Sequence, residues 1–366
     1  MKTKMPLLIA AYCLTFNLLY AVPPNNTRAA SHPVAADTLK NSIYYPIGVA
    51  VDEMSLMTDP KYRSLILKDF NSITPENMLM WNHLRPSENT FDFSRVDSIV
   101  NFALKHHIRM IGHPLVYFQT MPDWVENFQG DSAAWEHLLK NHIQTVVGRY
   151  RGKMAGWIVV NELFDSNGNY RMDAENKKFI NVWAQHLGPG YIARAFIYAH
   201  QADPNAVLFI SDYDQEKYSK KMMAIVNLAN QLKARHVPVG GIALQMHTDI
   251  NVTLDGINYA LTQSQRTGLQ VYISELDIRL NPKDLTLSPT DAASNLGKQN
   301  KLFYYIPHAY NALVPRSQQF GITFWGITDK NSWITRKPVP DDAPLLFDTN
   351  YKEKGAYNSF LRGLTQ

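Results

Sequence analysis

Gly156-Trp157-Ile158-Val159-Val160-Asn161-Glu162 reads as a strand that is apolar along its length and ends in an amide and a carboxylate. A half-exposed strand would alternate polar with apolar residues. A continuous apolar run fits a strand covered on both faces, as in parallel sheets flanked by helices. Val271-Tyr272-Ile273-Ser274-Glu275-Leu276-Asp277 repeats the pattern, again with a carboxylate at the tip. Outward from the strands at 156–160 and 269–274, further short runs fall at 47–51, 71–74, 109–116, 207–211, 241–245 and 321–325. The segments between them carry helical patterns. In one, Ser94 is the expected N-cap with Asp97 three residues on, and Val96, Ile99, Val100, Ala103 and Leu104 recur on one face. In another, over 133–150, Trp135, Leu138, Leu139, Ile143 and Val146 share a side. Strands alternating with helices in this way predict an α/β chain folded as a single (β/α)8 TIM barrel. The alternative is an open doubly wound sheet. No Gly-rich phosphate loop follows the first strand, which weighs against its nucleotide-binding form.

The chain's 366 residues suit one such barrel. Lys+Arg number 36 against Asp+Glu 32, and no Lys/Arg block of five or more occurs, so no nucleic-acid partner is expected. Lys2 and Lys4, the mostly apolar residues 5–20 and then Ala21 read as a signal peptide, giving a secreted or periplasmic protein. The apolar stretch is short for a membrane span, so no membrane insertion is expected. The lone cysteine, Cys13, follows the bulky Tyr12, which argues against a lipid anchor. Cleavage after Ala21 would leave no cysteine and no disulfide. The expected layout is a signal peptide over 1–21, a flexible polar leader over 22–40 and one barrel domain over 41–366, acting as a monomer.

In a (β/α)8 barrel the reactive side chains stand at the C-terminal ends of the strands. Glu162 and Glu275 occupy two such ends. Paired carboxylates suit glycoside cleavage: one protonates the departing oxygen while the other attacks the anomeric carbon or activates water. Retention of configuration needs them about 5–5.5 Å apart. The residues alone leave open that both sit in ordinary salt bridges. Seven Trp, 19 Tyr and 16 Phe supply core packing and candidate sugar-stacking faces.

Further segments, in order, carry a resemblance. They are Thr74-Pro75-Glu76-Asn77 with Trp81, Gly112-His113 with Leu115-Val116, and Val159-Val160-Asn161-Glu162. Asp212-Tyr213, Gln245-Met246-His247, Ser274-Glu275-Leu276-Asp277, Phe324-Trp325-Gly326-Ile327-Thr328-Asp329-Lys330 with Trp333, and Pro344-Leu345-Leu346-Phe347-Asp348 complete the series. From about residue 48 to 357 the chain resembles glycoside hydrolase family 10, the family of endo-β-1,4-xylanases. The resemblance implies a retaining β-glycoside hydrolase acting on xylan-type polysaccharide or oligosaccharide by double displacement, with Glu162 as acid/base and Glu275 as nucleophile. It implies that Asn161 bonds the 2-hydroxyl at the cleavage subsite, that His247 orients Glu275, and that Gln245 supports both. Glu76 and Asn77 would bind donor-side hydroxyls, His113 the sugar at the cleavage subsite, and Trp325 and Trp333 would wall it. No cofactor and no metal are expected. His113 and His247, the best candidate ligands, fall in neither a His-x-His nor a His-Glu-x-x-His pattern.

The sequence departs from the family pattern around the sugar. Met78-Leu79-Met80 stands where the family has Glu-Met-Lys, so the thioether of Met80 replaces an ammonium. Tyr117 stands for a Trp wall, Phe118 for a His and Thr120, after Gln119, for a Gln. Ile158 replaces an Asp, and Ser211 and Asp214 replace Asn residues. These changes predict an altered donor-side pocket with fewer polar groups. They keep two alternatives in play: a β-glycosidase of the same fold acting on a different or decorated, for example methylated, glycan, and a carbohydrate-binding protein without catalysis.

Overall fold

The computed structural model describes residues 38–172, 181–336 and 342–366. Its strands are β1 (Ile47–Val51), β2 (Ser72–Pro75), β3 (Arg109–Gly112), β4 (Gly156–Asn161), β5 (Val207–Asp212), β6 (Gly241–Leu244), β7 (His247–Asp249), β8 (Gln270–Arg279) and β9 (Gln319–Phe324). All pair in parallel. β1 pairs with both β2 and β9, and β6 pairs with β8, so eight strands close on themselves. The ninth, β7, rides on the far end of β8, with His247 opposite Asp277. The helices fill the connections, and the expected (β/α)8 barrel is the observed fold.

Two apolar layers hold it. Inside the barrel, Ile111, Ile158, Phe209, Ala243, Tyr272 and Phe320 form one cluster. The space for Phe209 is made by glycine: a Cβ on Gly241 would stand 2.1 Å from its ring. The outer layer, between sheet and helices, includes Trp157, whose ring packs so closely on β3 that a Cβ on Gly112 would meet it at 2.0 Å. Ile158 therefore belongs to the barrel filling, not to the sugar pocket. The change from Asp at that position is a packing change.

Local expectations are corrected in three places. Ser94 is the first residue of the helix Ser94–Lys105, not its cap; Asp92 Oδ1 accepts from both the Ser94 N–H and its hydroxyl. Leu104 is exposed, whereas Val96, Ile99, Val100 and Ala103 are buried as expected. The leader was expected to reach residue 40, yet Leu39 is fully buried and its N–H bonds Asp69 Oδ1 at 3.3 Å. The expected signal peptide over 1–21 and residues 22–37 of the expected leader lie outside the described residues. Among those described, no helix is long and apolar enough to cross a membrane.

Candidate active site

The strand tips converge on a cavity of about 590 Å³. Glu76, Asn77, His113, Tyr117, Asn161, Glu162, Gln245, His247, Glu275, Trp325 and Trp333 all line it, so every residue singled out in the sequence for this site is brought together. β4 delivers Asn161, and the chain then breaks from the strand: Glu162 has φ 57°, a left-handed conformation unfavourable for a side chain with a Cβ. Asp214 and Met246, just past the ends of β5 and β6, and Thr120, in the loop after β3, share it. Such backbone persists only where surrounding contacts over-determine it.

Gln245 ties the Glu162 carboxylate to the backbone of Glu275. Its Nε2 donates to Asn161 Oδ1 at 3.1 Å and to Glu162 Oε1 at 3.4 Å, while its backbone carbonyl accepts from the Glu275 N–H at 3.0 Å. The carboxylates themselves differ in environment. Burial, with the Asp212 charge behind it, pushes Glu162 up to about 7. Glu275 adds to this rise, and a hydrogen bond from the Tyr117 hydroxyl to Oε2 at 2.9 Å opposes it. Burial also keeps the Tyr117 phenol neutral, so it serves as a donor.

Glu275 is 4% exposed and faces a histidine. His247 Nε2 lies 3.1 Å from Glu275 Oε2, and its Nδ1 lies 2.8 Å from Asp277 Oδ2. Burial alone pulls this imidazole down, but the Asp277 and Glu275 carboxylates outweigh it and hold the ring well above its ordinary value. The cationic ring that these carboxylates favour donates from both nitrogens. Trp333 Nε1 donates to the same Asp277 oxygen at 2.8 Å. His113 Nδ1 stands 3.8 Å from the other oxygen of Glu275, and burial pulls its ring down, leaving it neutral. Trp325 meets His113 edge-on at 4.9 Å between ring centres.

Three departures from the family pattern resolve here. Tyr117 is not a bare wall, because its hydroxyl reaches Glu162. Phe118 is buried against Tyr117 and does not line the cavity. Gln119 occupies the ground expected of residue 120, with Nε2 at 3.5 Å from Glu162 Oε2, while Thr120 turns its hydroxyl back onto the Gln119 carbonyl at 2.6 Å. Met80 does line the cavity. Near it Arg336 grips Glu76 through two bonds, Nη1 to Oε1 at 2.8 Å and Nη2 to Oε2 at 2.9 Å. This fork-on-carboxylate geometry is the strong form of an ion pair. Glu76 is thus held by a guanidinium, a partner the sequence reading missed.

Asp277 was quoted in the motif without a role. The signal for it was period two on β8, which puts residues 275 and 277 on one face. Tyr213, Asp214, Lys217, Asp249 and Arg279 also line the cavity and add a largely charged surface. Lys217 there pairs with Asp214 at 3.0 Å and Asp249 at 3.4 Å.

Comparison with known proteins decides the family. The model of glycosyl hydrolase family 10 matches residues 35–362. The chain belongs to glycosyl hydrolase family 10. It is 36% identical over 328 residues to endo-1,4-beta-xylanase A of Thermoanaerobacterium saccharolyticum, covering 86% of this chain and 26% of that protein. It is likewise 36% identical over 328 residues to the protein named exoglucanase XynX of Acetivibrio thermocellus, covering 86% of this chain and 28% of the relative. The chain thus spans about a quarter of the length of these two relatives. Among solved structures, native xylanase 10B of Thermotoga maritima superposes with TM-score 0.79 at 32% identity, over 89% of this chain and 96% of that one.

Proposed function

We propose that this family 10 chain is a retaining endo-1,4-β-xylanase in which Glu275 is the nucleophile and Glu162 the acid/base. The observation that carries the reading is the electrical asymmetry of the two carboxylates. Glu162 is held up near neutrality by burial and by the Asp212 charge, ready to donate a proton. Glu275 faces an imidazolium fixed by Asp277. Environments that push two carboxyl groups apart in this way assign acid and nucleophile.

The chemistry runs in two halves. Glu275 attacks the anomeric carbon and forms a glycosyl ester as the glycosidic C–O bond breaks, and the Glu162 proton goes to the leaving oxygen. Water then attacks the same carbon, gives its proton to Glu162, and releases Glu275 as a carboxylate. Asn161 and His113 hold the sugar at the cleavage point, Trp325 and Trp333 wall it, and Gln245 keeps Asn161 and Glu162 aligned. Glu76 and Asn77 receive the next donor-side sugar.

The Tyr117 hydrogen bond gives a testable consequence. It stabilises the Glu162 carboxylate, so its removal favours the protonated form. Tyr117→Phe is expected to move the alkaline limb of the kcat/KM–pH profile upward by roughly one unit, since a hydrogen bond to a charged group is worth about 1.5 kcal/mol. An unmoved limb would show that the phenol does not set this titration.

A second reading is a β-glycosidase of the same fold acting on a different or decorated glycan. Met80 and the Glu76–Arg336 pair favour it, since both change the groups that meet the donor-side sugar. The name of the A. thermocellus relative, an exoglucanase, points the same way. The experiment is product analysis on xylohexaose beside other β-linked and methylated oligosaccharides. Internal cleavage of xylohexaose is the expected result. Cleavage only elsewhere in the panel would replace the xylanase reading with the second one. Export through the N-terminal segment and a monomeric state complete the proposal, and both rest on the sequence pattern alone.

A further inference from the structure

Behind the acid/base lies a buried ion pair. Lys221, on the helix Ser219–Ala234, is 1% exposed, and its Nζ stands 2.7 Å from Oδ1 of the fully buried Asp212. Burying two charges costs desolvation, and a pair of apolar side chains would fill the same space with no such penalty. The pair therefore calls for a reason beyond packing.

The reason is in what Asp212 holds. Its Oδ2 accepts from the Phe164 N–H at 3.0 Å and its Oδ1 from the Tyr213 N–H at 3.0 Å. The residue before it, Ser211, offers its carbonyl to the Glu162 N–H at 2.8 Å. Consecutive residues at the tip of β5 thus grip the chain at Glu162 and again two residues on, across the left-handed turn. The same turn is tied from its other side by Arg171, whose N–H bonds the Leu163 carbonyl at 2.8 Å and whose Nε donates to the Phe164 carbonyl at 2.9 Å. Arg171 also bonds the Tyr213 hydroxyl, and Lys221 Nζ lies 3.6 Å from the centre of that same ring. Burial pushes the Asp212 carboxyl up, and the Lys221 ammonium works against the rise. A protonated Asp212 would be a weaker acceptor for the turn. Lys221 is the ammonium that keeps Asp212 ionised there.

We propose that Lys221 is a positioning residue for Glu162: its ammonium keeps Asp212 ionised in the interior, and so a strong acceptor for the Phe164 N–H that fixes the turn carrying the acid/base. The proposal rests on the reading of Glu162 as acid/base. Besides Asp212, the charged and titratable groups facing Glu162 are Tyr117, Tyr213, Arg171 and Glu275, and none of them bonds Lys221 by a salt bridge.

The test compares kcat/KM on two substrates. One is the oligosaccharide that the panel finds cleaved. The other is a dinitrophenyl glycoside, whose leaving group departs without a proton, so its kcat/KM does not depend on the acid. Lys221→Met is expected to lose about thirtyfold on the oligosaccharide and less than about threefold on the activated glycoside. Asp212→Asn/Lys221→Met keeps a carbonyl acceptor and leaves no unpaired charge in the interior, and it is expected to recover at least about tenfold of the lost oligosaccharide rate. Equal losses on both substrates, no loss at all, or a double variant no better than the single would each overturn the proposal. If Lys221→Met does not fold, the double variant still decides, and a loss of thirtyfold or more on both substrates overturns the proposal. Glu162→Ala run alongside separates the failures. A selective Glu162→Ala beside a non-selective Lys221→Met removes this proposal alone. A non-selective Glu162→Ala removes the acid/base reading as well.

Discussion

Glu275→Ala is expected to lower kcat on oligosaccharide by a factor on the order of 10⁵, the scale of losing a nucleophile whose attack makes the covalent intermediate. The fold should survive the change. Oε1 of Glu275 has no hydrogen-bond partner among the described residues, and Oε2 has only His247, which keeps Asp277 as its second partner. The loss should also be rescuable in a diagnostic way. Azide entering the space left by the carboxylate attacks from the nucleophile's side and displaces an activated leaving group once, giving a glycosyl azide of inverted configuration. The measurement is kcat for the variant with and without azide, plus the anomeric form of the product. Wild-type-like turnover in the variant would refute the assignment. An unfolded variant, read by circular dichroism, would show that Glu275 is structural.

How much of this could be read from the chain depends on the range of the forces involved. The barrel strands were legible because burial on both faces demands apolar runs, as at 156–160. The ends were less so. The run over 269–274 stops at Ser274, yet β8 continues to Arg279 because β7 pairs with its far end, a contact that lies outside any local pattern. Leu104 fits the apolar stripe of its helix yet is exposed, which spacing alone does not tell. At the site, Glu162, Glu275, His247 and Gln245 were legible because each stands at a strand tip in a recognisable run. Arg336, Tyr117 and Lys221 were not legible in their roles. The first depends on a crossing from the segment after β9 back to β2. The second depends on a hydroxyl reaching Glu162 from a neighbouring loop, and the third on the rotation of a helix against the back of β5. Sequence spacing carries none of these. Gln119 shows the same limit on a smaller scale: one left-handed residue, Thr120, shifts which side chain faces the cleft.

Removing the acid/base should give a different pattern from removing the nucleophile. Glu162→Ala is expected to lower kcat/KM on oligosaccharide by roughly 10²–10⁴, the usual yield of general acid catalysis, and to spare dinitrophenyl glycosides. The second half-reaction still needs a base to deprotonate water. The activated substrate should therefore show a burst followed by a slow steady state as the glycosyl ester on Glu275 accumulates. The pH profile carries the sign of the assignment. Glu162 must be protonated for the first step and sits at about 7, so wild-type kcat/KM on oligosaccharide should fall as pH rises through that value. In the variant that limb should vanish, because the titrating group is gone. Azide again discriminates. Here it needs no base and attacks the ester on Glu275, so it should speed turnover and yield a glycosyl azide of retained configuration, opposite to that from Glu275→Ala. Two variants giving products of opposite anomeric form would place the carboxylates on opposite faces of the scissile carbon. The same product from both would mean that one of the two roles is misassigned.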